Sequence, residues 1–166
     1  MVTNYSGYKV EIRNVKYFAE DGRICPKTAI VTFFDSEGEE TGNELFGVIE
    51  TSEIFRMIEE GQDLVLDNLY LNDFSLAMYR RQHNLDRKAQ VKINNLSARN
   101  AFFEANTATD FSYVLFNEGD ISFEESHFAK GKVIFTGSDF GKGDVSFSNT
   151  LFRSGDLDFS GSVFGD

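Results

Sequence analysis

Few side chains in this sequence combine the type and spacing that chemistry requires. The stretch Gly137-Ser-Asp-Phe-Gly-Lys-Gly143 has the glycines of a phosphate-cradling loop, but Gly143 follows Lys142 where a Ser or Thr would meet the metal ion. The same phase in neighbouring segments reads Ala129-Lys-Gly and Arg153-Ser-Gly, so a repeat accounts for these glycines. His83 and His127 stand alone, without the cysteines or spaced carboxylates that would complete a metal shell. Both are read as surface residues, one in a loop and one at an outward phase. Cys25 precedes Pro26 and has no His nearby to activate it, which leaves a buried or idle thiol. No Ser-His-Asp order, HExxH pair or Rossmann glycine set is present. The chain is therefore expected to carry no catalytic residue, no metal and no cofactor, and not to be an enzyme.

Two charged arrangements stand above this background. Arg80, Arg81, Arg87 and Lys88 lie within MYRRQHNLDRKAQ, the one concentrated basic segment of a chain with a formal charge of −11. It is expected to project as a loop, with room for a helical turn, and these four cations are the candidate partner-binding residues, placed to dock an acidic partner or another part of the chain. Asp120 and Asp144 recur at a fixed spacing, as do Lys132 and Asp156. Stacked Asp residues can hold a cation, but hydrated turn acids are the preferred reading.

The elements that must position these groups are dominated by a repeat. Written in twelves, the C-terminal third reads TDFSYVLFNEGD, ISFEESHFAKGK, VIFTGSDFGKGD, VSFSNTLFRSGD and LDFSGSVFGD. Its phenylalanines fall in pairs five apart: Phe111/Phe116, Phe123/Phe128, Phe135/Phe140, Phe147/Phe152 and Phe159/Phe164. Such a period dictates architecture before local propensity does. Side chains alternate along extended segments, so Val145 shares a face with Phe147 and Thr150 shares the next with Phe152. Gly119, Gly131, Gly143 and Gly155 occupy one phase, which argues for positive φ or close backbone approach at a corner. A six-residue phase fails, because it would align Ile121, His127, Val133 and Asp139 in one buried column.

Upstream the period is five: Leu64/Leu66, Leu69/Leu71 and Phe74/Leu76, then Val91/Ile93, Leu96/Ala98 and Ala101/Phe103 after the basic interruption. With Ser126-His-Phe128, Ser138-Asp-Phe140, Thr150-Leu-Phe152 and Ser162-Val-Phe164, this resembles the pentapeptide-repeat proteins, which place a small residue two before a central Leu or Phe. The resemblance covers roughly 64–166 with one gap. It implies a right-handed, four-sided parallel β-helix with Phe or Leu stacked inside. It departs from the family in the two extra residues on every second side. With the four sides that the resemblance implies, two twelves make one layer of about 24 residues, layers stack at about 4.8 Å, and Phe123 lies beneath Phe147 and Phe135 beneath Phe159. Some members of that family resemble DNA in shape and charge and bind type II topoisomerases, which gives an acidic DNA mimic as the alternative function.

The first 62 residues read differently. Tyr8–Phe18 alternates apolar with polar, Thr28–Phe34 is β-branched and aromatic, and Glu44–Glu50 makes a third strand. A helix near 52–60 follows, with Thr51 or Ser52 to cap it, an Ile54/Phe55/Ile58 stripe, and Gly61 at the left-handed C-cap. The expected fold is mainly β: an N-terminal β-meander plus short helix (1–62) capping a pentapeptide-repeat-like solenoid (63–166), interrupted by a basic loop near 79–90. The structural core is the ten paired phenylalanines, each burial being worth about 1.5–3 kcal/mol.

Bulk composition narrows the function. Twelve of eighteen Phe lie after residue 100, and net negative charge argues against direct contact with nucleic acid or anionic membrane. No apolar run approaches a membrane span, MVTNYSGYKV has no signal-peptide pattern, and one Cys suits a cytoplasmic location. The expectation is a non-catalytic scaffold or protein–protein interaction module, taken as the N-terminal part of a longer protein. Its partner is another protein or a C-terminal domain beyond Asp166, with an end-to-end homodimer as the other outcome.

Overall fold

The computed structural model describes residues 4–153 and 155–165; Ser154 and the terminal Asp166, both inside the expected repeat region, lie outside the described residues. Among the described residues the chain is mainly β, with parallel sheets, a three-stranded antiparallel sheet, a small antiparallel hairpin and two short helices. Gly7–Arg13, Lys27–Phe34 and Glu40–Val48 form the antiparallel sheet in that order. Val10 pairs with Val31, Tyr8 with Phe33 and Ala29 with Phe46, so one face is largely apolar, with Glu44 opposite Val31 as its charged member. Asp35 Oδ1 accepts the N–H groups of Glu37 and Glu39, both at 2.9 Å, which closes the turn between the second and third strands. The expected first strand is split. It ends at Arg13, and Tyr17–Phe18 instead pairs with Ile24–Cys25 as a small hairpin.

Helix α1 (Thr51–Glu59) follows. Neither Thr51 nor Ser52 caps it; Glu50 takes the N-cap position in extended conformation without a side-chain bond. Its C-terminus is as the sequence requires. Gly61 has φ +66°, its N–H reaches Ile58 O at 3.1 Å, and the Gln62 N–H reaches Met57 O at 3.0 Å. Ile54, Phe55 and Ile58 point inward.

From Leu64 onward short strands pair in parallel with segments further along the chain. Leu64–Val65, Leu96–Ser97, Ile121–Ser122 and Val145–Ser146 are neighbours in one sheet. Tyr70–Asn72, Phe102–Asp110, His127–Ile134 and Leu151–Phe152 are neighbours in a second. Ile121 pairs with Val145, His127 with Leu151 and Val133 with Leu157, each 24 positions apart. The rings follow this register: Phe123 stacks on Phe147 at 5.2 Å and Phe135 on Phe159 at 5.0 Å, close to the spacing of paired strands. Inward hydroxyls find backbone acceptors, Ser138 Oγ on Phe111 O and Thr150 Oγ1 on Phe123 O, both at 2.7 Å.

The glycine phase divides into two kinds. All four lie against a backbone carbonyl; at Gly131 and Gly155 φ is also positive, +90° and +83°, whereas at Gly119 and Gly143 contact alone is the constraint. A Cβ on Gly143 would lie 2.1 Å from Gly119 O.

The basic interruption is not simply a loop. It opens as helix α2 (Leu76–Gln82), whose Ser75 N-cap accepts from the Met78 N–H at 3.2 Å. Ala, Met, Arg and Gln are good helix formers, and Asp110 reinforces the start by accepting the Ala77 N–H at 2.9 Å.

The antiparallel sheet does more than cover the first parallel strands. Gly47 does bridge to Leu69, with its N–H on Asn68 O at 2.8 Å. The sheet's apolar face, however, lies along a flank of the parallel sheet: Tyr5, Ala29, Val31, Phe33 and Phe46 pack with Phe102 and Ala129. The outward column Tyr70, Phe102, His127, Leu151 supplies that flank.

Candidate functional site

The described layers end on an uncovered set of rings. Phe111, Phe116, Phe123, Phe128, Phe135 and Phe140 are buried, as their pairing requires. Phe147 and Phe159 are half-buried, while Phe152 is 41% and Phe164 is 56% exposed. Leu157 and Val163 are exposed beside them. Each of these four rings stacks on the layer before it, Phe152 on Phe128 at 5.1 Å and Phe164 on Phe140 at 4.5 Å with planes within 3°. Each of the four has one stacked ring among the described residues, on the side of the preceding layer. The N–H groups of Ile121, Phe123 and Phe135 donate to Asp144, Ser146 and Asp158 carbonyls in the following layer. Val145, Phe147 and Phe159 repeat those positions one layer on. The surface is thus an apolar set of ring faces bordered by strand backbone.

The four expected partner-binding cations do not act together. Arg80 is buried and is withdrawn from that set. Its Nε donates to Ala89 O at 2.7 Å, Nη1 to Ser112 Oγ at 3.3 Å and Nη2 to Ser112 O, with the guanidinium 5.5 Å from the Tyr113 ring centroid. Burial pulls its pKa down, offset by Asp110 and Tyr113. Arg80 fastens the 85–90 connection to the next layer because a planar fork can satisfy two carbonyls at once. Arg81, Arg87 and Lys88 remain exposed.

Asp120 and Asp144 do stack, but the link is structural. Asn95 Nδ2 donates to Asp63 Oδ1 at 3.0 Å, Asn95 Oδ1 accepts the Asp120 N–H at 2.9 Å, and Asp120 Oδ1 accepts the Asp144 N–H at 3.0 Å. Lys132 and Asp156 form an exposed pair at 3.9 Å. No group of three or more potential metal ligands occurs among the described residues. The glycines around Lys142 belong to the ladder, since a Cβ on Gly141 would sit 2.0 Å from the carbonyls of Phe116 and Asn117. Cys25 is buried against Gly47 and Tyr17, and burial pushes its thiol pKa up, away from nucleophilic reactivity.

Both histidines differ from their expected settings. His83 closes α2, stacks on Tyr79 at 4.1 Å and bonds Glu59 of α1 through Nε2 and Tyr79 O through Nδ1. The Glu59 bond, with the Tyr79 carbonyl, raises its pKa. His127 does face away from the phenylalanine column, but it is fully buried because the antiparallel sheet covers that flank. The register held a clue: positions one layer away are Phe102 and Leu151, both apolar. On the same flank Tyr8 and Tyr70 both donate to Glu104, a clamp between the two sheets that no sequence spacing indicates.

No family model matches the chain, and comparison with curated proteins and with solved structures finds no match. No helix among the described residues is long and apolar enough to cross a membrane.

Proposed function

We propose that this chain is a non-catalytic interaction scaffold built as a right-handed parallel β-helix similar to pentapeptide-repeat proteins. Residues 63–166 form the helix and residues 1–62 its N-terminal accessory. Parallel pairing at 24 positions and coaxial ring stacking support the architecture. A single observation carries the functional part: Phe147, Phe152, Phe159 and Phe164 are ordered by the layer beneath yet open on the other side. Apolar surface bordered by strand edges is a docking template for another protein or a second copy.

The test compares the full chain with a Phe152→Asp/Phe164→Asp double variant, which leaves the buried rings intact. Light scattering over a concentration series reads self-association, and quantitative pull-down reads other partners. The reading expects an association seen in the wild type and lost in the variant; equal association of both proteins overturns it. Inhibition or protection of a type II topoisomerase in a supercoiling assay would assign the acidic DNA mimic instead.

A further inference from the structure

His127 is the one histidine enclosed between the two sheets. Tyr5, Phe33 and Phe102 surround its ring at centroid distances of 5.6, 5.8 and 5.6 Å. Nδ1 lies 3.2 Å from Tyr5 Oη, and Nε2 has no hydrogen-bond partner. A neutral imidazole tolerates this, with Nδ1–H donating to Tyr5 and an unused lone pair on Nε2. An imidazolium does not, because it would bury a second N–H donor and a full charge without a partner. Tyr70, Phe102 and Leu151, the other members of this outward column, gain no charge in acid.

The charged and titratable neighbours do not supply a counter-ion. Tyr5 stays neutral, its pKa pushed up to about 12 chiefly by burial. Arg153 lies over the Tyr5 ring at 4.5 Å and opposes a second positive charge. Lys130 and Lys132 on the same strand are exposed cations. Glu104 on Phe102–Asp110 is occupied by the Tyr8 and Tyr70 hydroxyls. Glu44 on Glu40–Val48 acts electrostatically on Tyr5, and Lys27–Phe34 presents only Ala29, Val31 and Phe33 to this cluster. Burial first, and Arg153 second, bring the His127 pKa down to about 4.

We propose that His127 is an acid-operated latch, whose protonation releases the antiparallel sheet from the parallel flank and uncovers Phe33, Phe46 and Phe102. The sign follows from linkage. The docked form holds the neutral ring, while a solvated ring takes its proton near the ordinary value of 6.5, so docking is complete above that pH and weakens as pH falls toward about 4. The net charge changes sign within this range, near the pI of about 4.6; substitution of His127 alone leaves every other charge in place and so separates the ring from general repulsion. The Gly47–Asn68 bond keeps the released sheet tethered at one corner.

Hydrogen exchange on the full chain tests this at pH 6.5 and pH 4, in wild type and in His127→Leu and His127→Phe, which copy Leu151 and Phe102 of the adjacent layers. In the wild type, Ala29, Val31 and Phe33 amides should lose protection on the order of a hundredfold relative to the Phe111 and Phe135 amides, one decade per pH unit of linkage. Either variant should show almost none of this differential loss. The same loss in the variants, or none in the wild type, overturns the latch. Should both variants fold poorly, the wild-type His127 ring signals decide alone: titration in step with loss of protection supports the latch, and titration near 6.5 with protection unchanged sinks it.

Discussion

Phe140 and Phe164 are stacked with centroids 4.5 Å apart and planes 3° from parallel, yet Phe140 is buried and Phe164 is 56% exposed. The same residue type, held in the same orientation one layer apart, has rings on both sides in one case and on one side in the other. Its energetic worth should differ accordingly.

Phe135→Ala should cost about 3–5 kcal/mol, the usual range for emptying an enclosed aromatic site. Phe164→Ala should cost about 1 kcal/mol or less, since much of that ring already faces water. Denaturant melts followed by far-UV circular dichroism compare the two. Similar losses would mean that the two rings are equally enclosed in solution.

Close backbone contact should make glycine obligatory at Gly143, while Gly7, outside the repeat, should be replaceable. Gly143→Ala should destabilise by about 1–3 kcal/mol, because its Cβ would meet the Gly119 carbonyl at 2.1 Å. Gly7→Ala, with nothing within 4 Å, should change stability by no more than about 0.5 kcal/mol. Thermal melts of the pair read the difference.

Arg80 should behave as a core residue although its sequence neighbours suggest a basic patch. Arg80→Ala leaves the Ala89 and Ser112 carbonyls unpaired and should lower stability by about 2–4 kcal/mol. Arg81→Ala and Arg87→Ala, both exposed, should stay within about 0.5 kcal/mol of wild type. A loss of partner binding in folded Arg80→Ala that exceeds its loss of stability would restore Arg80 to the contact set.

His83 should titrate above its ordinary value of 6.5, because the protonated ring donates to both Glu59 and Tyr79 O. This stabilisation is fully present below 6.5 and is lost as pH rises through the raised folded value. The ring's NMR titration midpoint should fall in Glu59→Gln, and an unchanged midpoint would remove the link between α1 and α2.

The repeat was legible in the sequence because its signal is local, and the register of 24 followed from setting it on the four-sided coil that the pentapeptide-repeat resemblance implies. Phenylalanine recurs on a fixed phase, a one-residue slip would expose every ring, and so Phe123 meets Phe147 and Phe135 meets Phe159. The Gly61 stop of α1 was legible for the same reason, being a requirement of the backbone at that position. The start of α2 was less so, since part of its cap comes from Asp110, thirty-three residues away from Ala77.

What the chain alone determined is periodicity: which side chains alternate inward, which residues lie one layer apart, and where close contact demands glycine. Tertiary structure decided what covers the outward positions. His127 has an outward phase either way; it is buried because an antiparallel sheet nearly one hundred residues earlier lies against it, with Phe33 5.8 Å from its ring. Arg80 sits in a basic run; it is buried because Ser112 and Ala89 offer carbonyls in the right fork geometry. Period is encoded in spacing along one strand, whereas burial of an outward side chain depends on a surface brought from elsewhere in the chain.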